Sequence, residues 1–230
     1  MTWLEALLKL FAPQATAPTV ALPGVTFHDR RRFAIQAHGP ERQWKTTGRK
    51  WNRVTGITLH QTASLLGERP ERWDTVGCHV GITRAGKVIH LHGFDRWVAH
   101  GNAWNDQCVG IEIDGLYAGI EGDESTVWDD PSTARRETGM TPTPEAIKAA
   151  CDTVRWICAE VERHGGKVHA LVAHRQSSMS RRNDPGSALW KAVALPMHAE
   201  IGLSDGGVGF KLGGSAIPEV WDERCKGIRY

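Results

Sequence analysis

The sequence predicts one α/β domain with a central mixed β-sheet flanked by helices. Two patterns lead there: short runs rich in Val, Ile and Leu, each too brief for a helix, and one long amphipathic stretch with helical spacing interleaved among them. Composition agrees. The 230 residues are 40% hydrophobic and 23% charged, with a net charge of +2, whereas a disordered chain has fewer apolar residues and a larger charge. No apolar run approaches the ~20 residues that a bilayer span needs.

Taken in order, the opening Met1–Phe11 places Trp3, Leu4, Leu7, Leu8 and Phe11 three and four residues apart, the pattern of a short amphipathic helix. Docking on the domain, on a partner or on a membrane surface are all open to it. Pro13, Pro18 and Pro23 make residues 12–24 an extended linker. Val54–Leu59 reads as a strand that ends at His60. Cys78–Thr83 and Lys87–Leu91 flank Arg84-Ala85-Gly86 and read as a hairpin. Val109–Ile113 is a fourth strand, and Lys167–Ala173, ending at His174, a fifth. Residues 144–164 form the clearest helix. Thr143 caps it, Pro144 suits its first position, Glu145 faces the positive end of its dipole, and Gly165-Gly166 stops it. A second helix is expected at Ser187–Ala194. Residues 116–142 are polar and long enough for a lid or groove wall. The expected division is therefore 1–24 as an N-terminal segment and linker, 25–202 as the domain, and 203–230 as a Gly-rich tail.

The near-neutral total conceals a basic start, with nine basic and three acidic residues in 1–55, and an acidic middle, with ten acidic and two basic in 106–145. With no nucleic-acid reading motif present, Arg30-Arg31-Arg32 is taken as a solvated run, and no nucleic-acid partner is expected. Five Cys without a CxxC pair make neither a disulfide framework nor a thiolate zinc site. Cys151 and Cys158 are expected to pack as small apolar groups. Glu5 and Lys9 interrupt the first apolar run and there is no basic start, so no signal peptide is expected and synthesis in a reducing cytosol is.

The chemistry-bearing residues stand where strands run out, which is where ligand sites collect in α/β sheets: His60, His174, and Glu112 within the fourth strand. Asp184 follows His174 by ten residues. Two imidazoles and a carboxylate suit a catalytic zinc ion that keeps a fourth position open. Asp114 shares a strand face with Glu112 and competes for a base role. His100, between Trp97 and Trp104, could pack or contact substrate. His79 is expected to be structural. His90 and His92 share a strand face but lack a third ligand.

In its ordered motifs the chain resembles the zinc-dependent N-acetylmuramoyl-L-alanine amidases of type 2, a group that includes phage lysis amidases and is related to peptidoglycan recognition proteins. The resemblance covers roughly residues 50–195. It rests on Ile57-Thr-Leu-His60-Gln-Thr-Ala, Cys78-His-Val-Gly-Ile-Thr83, Gly86-Lys-Val-Ile-His90, Val98-Ala-His100-Gly-Asn102, Asn105-Asp-Gln-Cys-Val-Gly-Ile-Glu112, Ala173-His174 and Asn183-Asp184-Pro185-Gly186. It implies an amidase fold and one zinc ion on His60, His174 and Asp184. It also implies Glu112 as general base, and Arg182, with His100 as a second candidate, sharing the oxyanion's charge. The family often has Lys where this chain has Arg182, and Arg cannot readily donate a proton. The implied activity is cleavage between N-acetylmuramic acid and L-alanine of peptidoglycan. The implied setting is wall lysis by a phage protein or delivered effector, acting on the wall after release. Alternatives are a non-catalytic peptidoglycan-binding module and a cytoplasmic amidase that recycles wall fragments. Residues 1–24 or 203–230 are candidate docking handles.

Overall fold

A computed structural model describes residues 25–34, 48–127 and 139–230. The N-terminal amphipathic segment, its linker and the middle of the 116–142 loop lie outside these. Six strands form one sheet in the order β1 (Phe27–Asp29), β4 (Val88–His90), β3 (Val80–Ile82), β5 (Cys108–Ile113), β2 (Gly56–Gln61), β6 (Ala170–Ala173). All neighbours pair parallel except β3 and β4, the expected hairpin. Its turn places Gly86 at φ +76°, and a Cβ there would lie 2.7 Å from the Glu145 carbonyl oxygen, so the position accepts only glycine comfortably.

Strand periodicity then sorts the side chains. Ile57, Leu59, Val80, Ile82, Val109, Ile111, Ile113, Leu171 and Ala173 belong to one large core. Against that core packs α1 (Pro144–Arg163), whose Ala146, Ala149, Ala150, Val154, Ile157 and Val161 form its buried stripe. Thr143 caps α1 as expected, its hydroxyl accepting from the Ala146 amide at 3.2 Å. The opposite face carries the alternate residues Thr58, His60, Gly110, Glu112 and Val172. Small clusters cover its flanks, Trp73, Cys78, Ile89 and Leu91 on one side and Trp104, Cys108 and Val172 on the other. The polar strip between those flanks is where the candidate site lies.

Three readings change. β1 had no signal in the sequence, since three residues of mixed polarity become a strand only by pairing with β4. The second helix runs past Ala194: α2 (Ser187–Leu189) continues through a π-helical turn (Trp190–Ala194) into α3 (Leu195–Ile201). The π turn absorbs the break that Pro196 threatens. Finally, residues 203–230 are not an appended tail, because Leu203, Ile217, Trp221 and Cys225 are buried in the main core. All five Cys are free, and Cys151 and Cys158 are half-buried against that core. Arg31 and Arg32 are exposed, as a solvated run requires, with Arg31 paired to Asp29 and the half-buried Arg30 to Asp74. No helix among the described residues is long and apolar enough to cross a membrane.

Candidate functional site

Because β5, β2 and β6 run parallel, their C-terminal ends meet on the polar face. His60 is in β2, directly opposite Glu112 of β5 in the strand register. His174 opens the 3-10 turn that follows β6, and Asp184 returns ten residues later. His60, His174 and Asp184 are all buried, and one ligand atom from each lies within 4.8 Å of the others. His60 Nδ1 is 2.9 Å from His174 Nδ1. Asp184 Oδ2 is 2.9 Å from His174 Nδ1 and 3.6 Å from His60 Nδ1.

The ring tautomers follow from the outer partners. His100 Nε2 is 3.1 Å from the Cys108 carbonyl oxygen, which only accepts, so that nitrogen carries the proton. Burial, chiefly, holds His100 well below the usual imidazole range, so the ring is neutral and its Nδ1 is a bare acceptor. His60 Nε2, 3.0 Å from that Nδ1, must therefore be the donor. His174 Nε2 likewise donates to Asn102 Oδ1 at 2.7 Å. In their neutral forms both rings thus turn bare Nδ1 lone pairs toward each other and toward a carboxylate. Burial, with the neighbouring His174, lowers the His60 pKa to about 4, so a proton is a poor resident near neutral pH. In that form the three converging acceptors fit a divalent cation, and the outer partners, the His100 imidazole and the Asn102 side-chain amide, fix the two rings as outer supports do for metal-bound histidines.

The carboxylates divide in character. Burial alone would raise Asp184, but the two imidazoles packed against it, His174 and His60, hold it below the usual carboxylate range. Its Oδ1 accepts from the Gln61 amide at 3.0 Å. Glu112 is pushed well above that range by burial and by the charge of Asp184, opposed by Arg181. Its Oε2 is buried and makes no hydrogen bond. One carboxyl is therefore kept ionised as a ligand, and the other is poised to exchange a proton. Asp114 serves the backbone instead, accepting from the Leu66 and Gly67 amides at 2.7 and 2.9 Å.

Two residues expected in the chemistry are placed elsewhere. Both nitrogens of His100 face protein groups behind His60, which leaves neither for an oxyanion. The absence of a side chain at Gly110 makes room for this ring, since a Cβ there would lie 2.6 Å from it. Arg182 turns outward: its Nη2 donates to the Tyr230 carbonyl oxygen at 2.6 Å, and its guanidinium lies 4.5 Å from the Tyr230 ring centroid. The arginine whose charge acts on both His60 and Glu112 is Arg181. His79 is structural, accepting from the Gly110 amide at 2.9 Å, and His90 packs on Phe94 and Trp156. The supports Asn102 and Gln61 stand inside recognisable motifs, but nothing in the sequence says which atom each one holds. A second group, Asp205, Asp222 and Cys225, also converges. There the Arg224 guanidinium already neutralises both carboxylates, at 3.5 and 2.5 Å.

A family described as N-acetylmuramoyl-L-alanine amidase matches residues 50–187, well over half of the chain. The chain belongs to this family. Among solved structures, Drosophila PGRP-LB is similar at 15% identity and a TM-score of 0.50, covering 78% of this chain and 96% of that one. Drosophila peptidoglycan recognition protein SD is similar at 17% identity and a TM-score of 0.50, with 78% and 97% covered. The endolysin amidase LysCS from Clostridium intestinale URNW shares 14% identity at a TM-score of 0.46, with 74% and 96% covered. No curated protein matches the chain. At these identities the two recognition-protein structures, at a TM-score of 0.50, establish a shared fold alone. The family match spans every residue of the triad and ends before the last 43 residues, which include the tail packed on Arg182.

Proposed function

We propose that this amidase hydrolyses the amide bond between the lactyl group of N-acetylmuramic acid and L-alanine of the peptidoglycan stem peptide. The observation that carries the reading is the convergence of His60, His174 and Asp184 beside the carboxyl of Glu112, whose Oε2 is buried without a hydrogen bond. His60, His174 and Asp184 would hold one zinc ion per chain, which would supply Lewis acidity and a more acidic water, with a pKa near about 7. Glu112 takes the proton from the attacking water and is placed to return it to the leaving amine. Arg181 adds positive charge where the carbonyl oxygen becomes negative. His100 and Asn102 hold the two imidazoles in one tautomer while this happens.

The biological role we infer is breakdown of the bacterial wall after release or delivery of the protein, with residues 1–24 as a docking handle. The segment 203–230 stays the second candidate handle: Leu203, Ile217, Trp221 and Cys225 are buried in the core, whereas Val208, Phe210, Leu212 and Val220 are exposed. The test of the chemistry is mass spectrometry of fragments released from purified peptidoglycan, with zinc-loaded protein and a chelated control. Free stem peptides with an amino-terminal L-alanine, appearing only with zinc, are expected. Intact walls despite stoichiometric zinc would replace the reading with a soluble-fragment substrate or a binding module. Unchanged lysis of isolated walls but lost lysis from within cells is expected when residues 1–24 are deleted.

A further inference from the structure

The segment beyond the family match lies against the loop that carries the ligand Asp184. Arg175, one residue after the ligand His174 and 1% exposed, is the link. Its amide donates to the Asp184 carbonyl oxygen at 3.0 Å, and its Nη1 donates to the Arg182 carbonyl oxygen at 2.7 Å. Its guanidinium lies over two rings of the C-terminal segment, 4.7 Å from the Trp221 centroid and 5.1 Å from that of Tyr230. Arg175 Nε is buried with no hydrogen-bond partner, so those aromatic faces are what receive this side of the cation.

Tyr230 also reaches the loop directly. Its ring stacks on the Arg182 guanidinium and its hydroxyl donates to Asn183 Oδ1. Trp221 is fully buried, and its indole donates to the Gly119 carbonyl oxygen, which ties the segment to the loop after β5. On the inner side, the Gln61 side-chain Nε2 donates to the Asn183 carbonyl oxygen at 2.8 Å. Arg182, Asn183 and Asp184 are thus gripped from both sides, by β2 within and by the C-terminal segment without.

We propose that Trp221 and Tyr230 are positioning residues for the metal ligand Asp184, acting through Arg175 and Arg182. The segment 217–230 is a brace that sets the carboxylate against the two imidazoles. This rests on the triad being a zinc site. Such outer supports are worth roughly 10- to 100-fold in metal affinity, and Tyr230, one of two rings, falls at the lower end.

The experiment uses the full chain carrying Tyr230→Ala, Tyr230→Phe or Arg175→Lys. Zinc affinity is read by competition with a chromophoric chelator, the visible spectrum of the cobalt-substituted protein reports coordination, and the melting of the metal-free protein reports the fold. Tyr230→Ala is expected to weaken zinc binding about tenfold and to alter the cobalt spectrum. Tyr230→Phe, which keeps the ring but loses the hydroxyl on Asn183, falls between the parent and Tyr230→Ala. Arg175→Lys keeps the charge but loses the flat stack and the forked donors, and matches Tyr230→Ala. A folded Tyr230→Ala with parental zinc affinity and cobalt spectrum overturns the brace. Should Tyr230→Ala not fold, parental affinity in Arg175→Lys overturns it equally. A parent protein that binds no zinc overturns the metal reading instead, and the brace with it.

Discussion

Replacing His100 by Phe separates positioning from substrate contact. Phe keeps a flat ring against Gly110 but removes the acceptor 3.0 Å from His60 Nε2 and the donor 3.1 Å from the Cys108 carbonyl oxygen. His60 is completely buried, so its Nε2–H is left with no partner. An orphaned buried donor costs about 1–3 kcal/mol. If that cost falls on the state in which His60 offers its bare Nδ1, zinc affinity drops by about 10- to 100-fold, since each tenfold is about 1.4 kcal/mol. Losses of that size are typical where a ligand's outer partner is removed. The assay is chelator competition, run beside turnover at saturating zinc. Affinity should fall while turnover at saturating zinc changes little. Parental zinc affinity with turnover lost would refute the reasoning and return His100 to direct contact with substrate.

Other expectations follow from the same geometry. Glu112→Gln should lower turnover by about 10²–10⁴-fold with zinc affinity retained; an active variant would remove Glu112 from proton transfer. Arg181→Ala should cost about 10²–10³-fold in turnover at unchanged zinc affinity, whereas Arg182→Ala should act on zinc affinity; the reverse pattern would restore Arg182 to the chemistry. The metal-free fold should weaken in acid. Burial lowers His90 to about 3 and His92 to about 4, from an ordinary 6.5. Below 6.5 the unfolded chain takes each proton first, so stability is complete above that pH and declines toward 3–4, by up to about 1.4 kcal/mol per unit for each group. Thermal melts from pH 7 to 4.5 should show this decline, and His90→Phe should flatten it; an equal slope in the variant would show that His90 does not contribute.

The elements carrying the site were legible because local physics writes them into the chain. Helix α1 announces itself through Thr143, Pro144 and its apolar stripe, and β2, β5 and β6 through short apolar runs. The sorting of His60 and Glu112 to the face opposite α1 follows from period-two alternation alone. The triad was legible too, as residue types at strand ends in a fixed order. What the sequence could not supply is direction. Arg181 and Arg182 are the same side chain one position apart, and Tyr230, 48 residues after Arg182, captures the second. His100 is a plausible substrate contact until the Cys108 carbonyl fixes which of its nitrogens holds the proton. The Gly-rich composition of 203–230 suggests a tail, yet Ile217, Trp221 and Cys225 fill the core. Each of these depends on hydrogen bonds and ring contacts between residues far apart in the chain. Such pairings arise only once the sheet has set the strand ends side by side, and no local pattern encodes them.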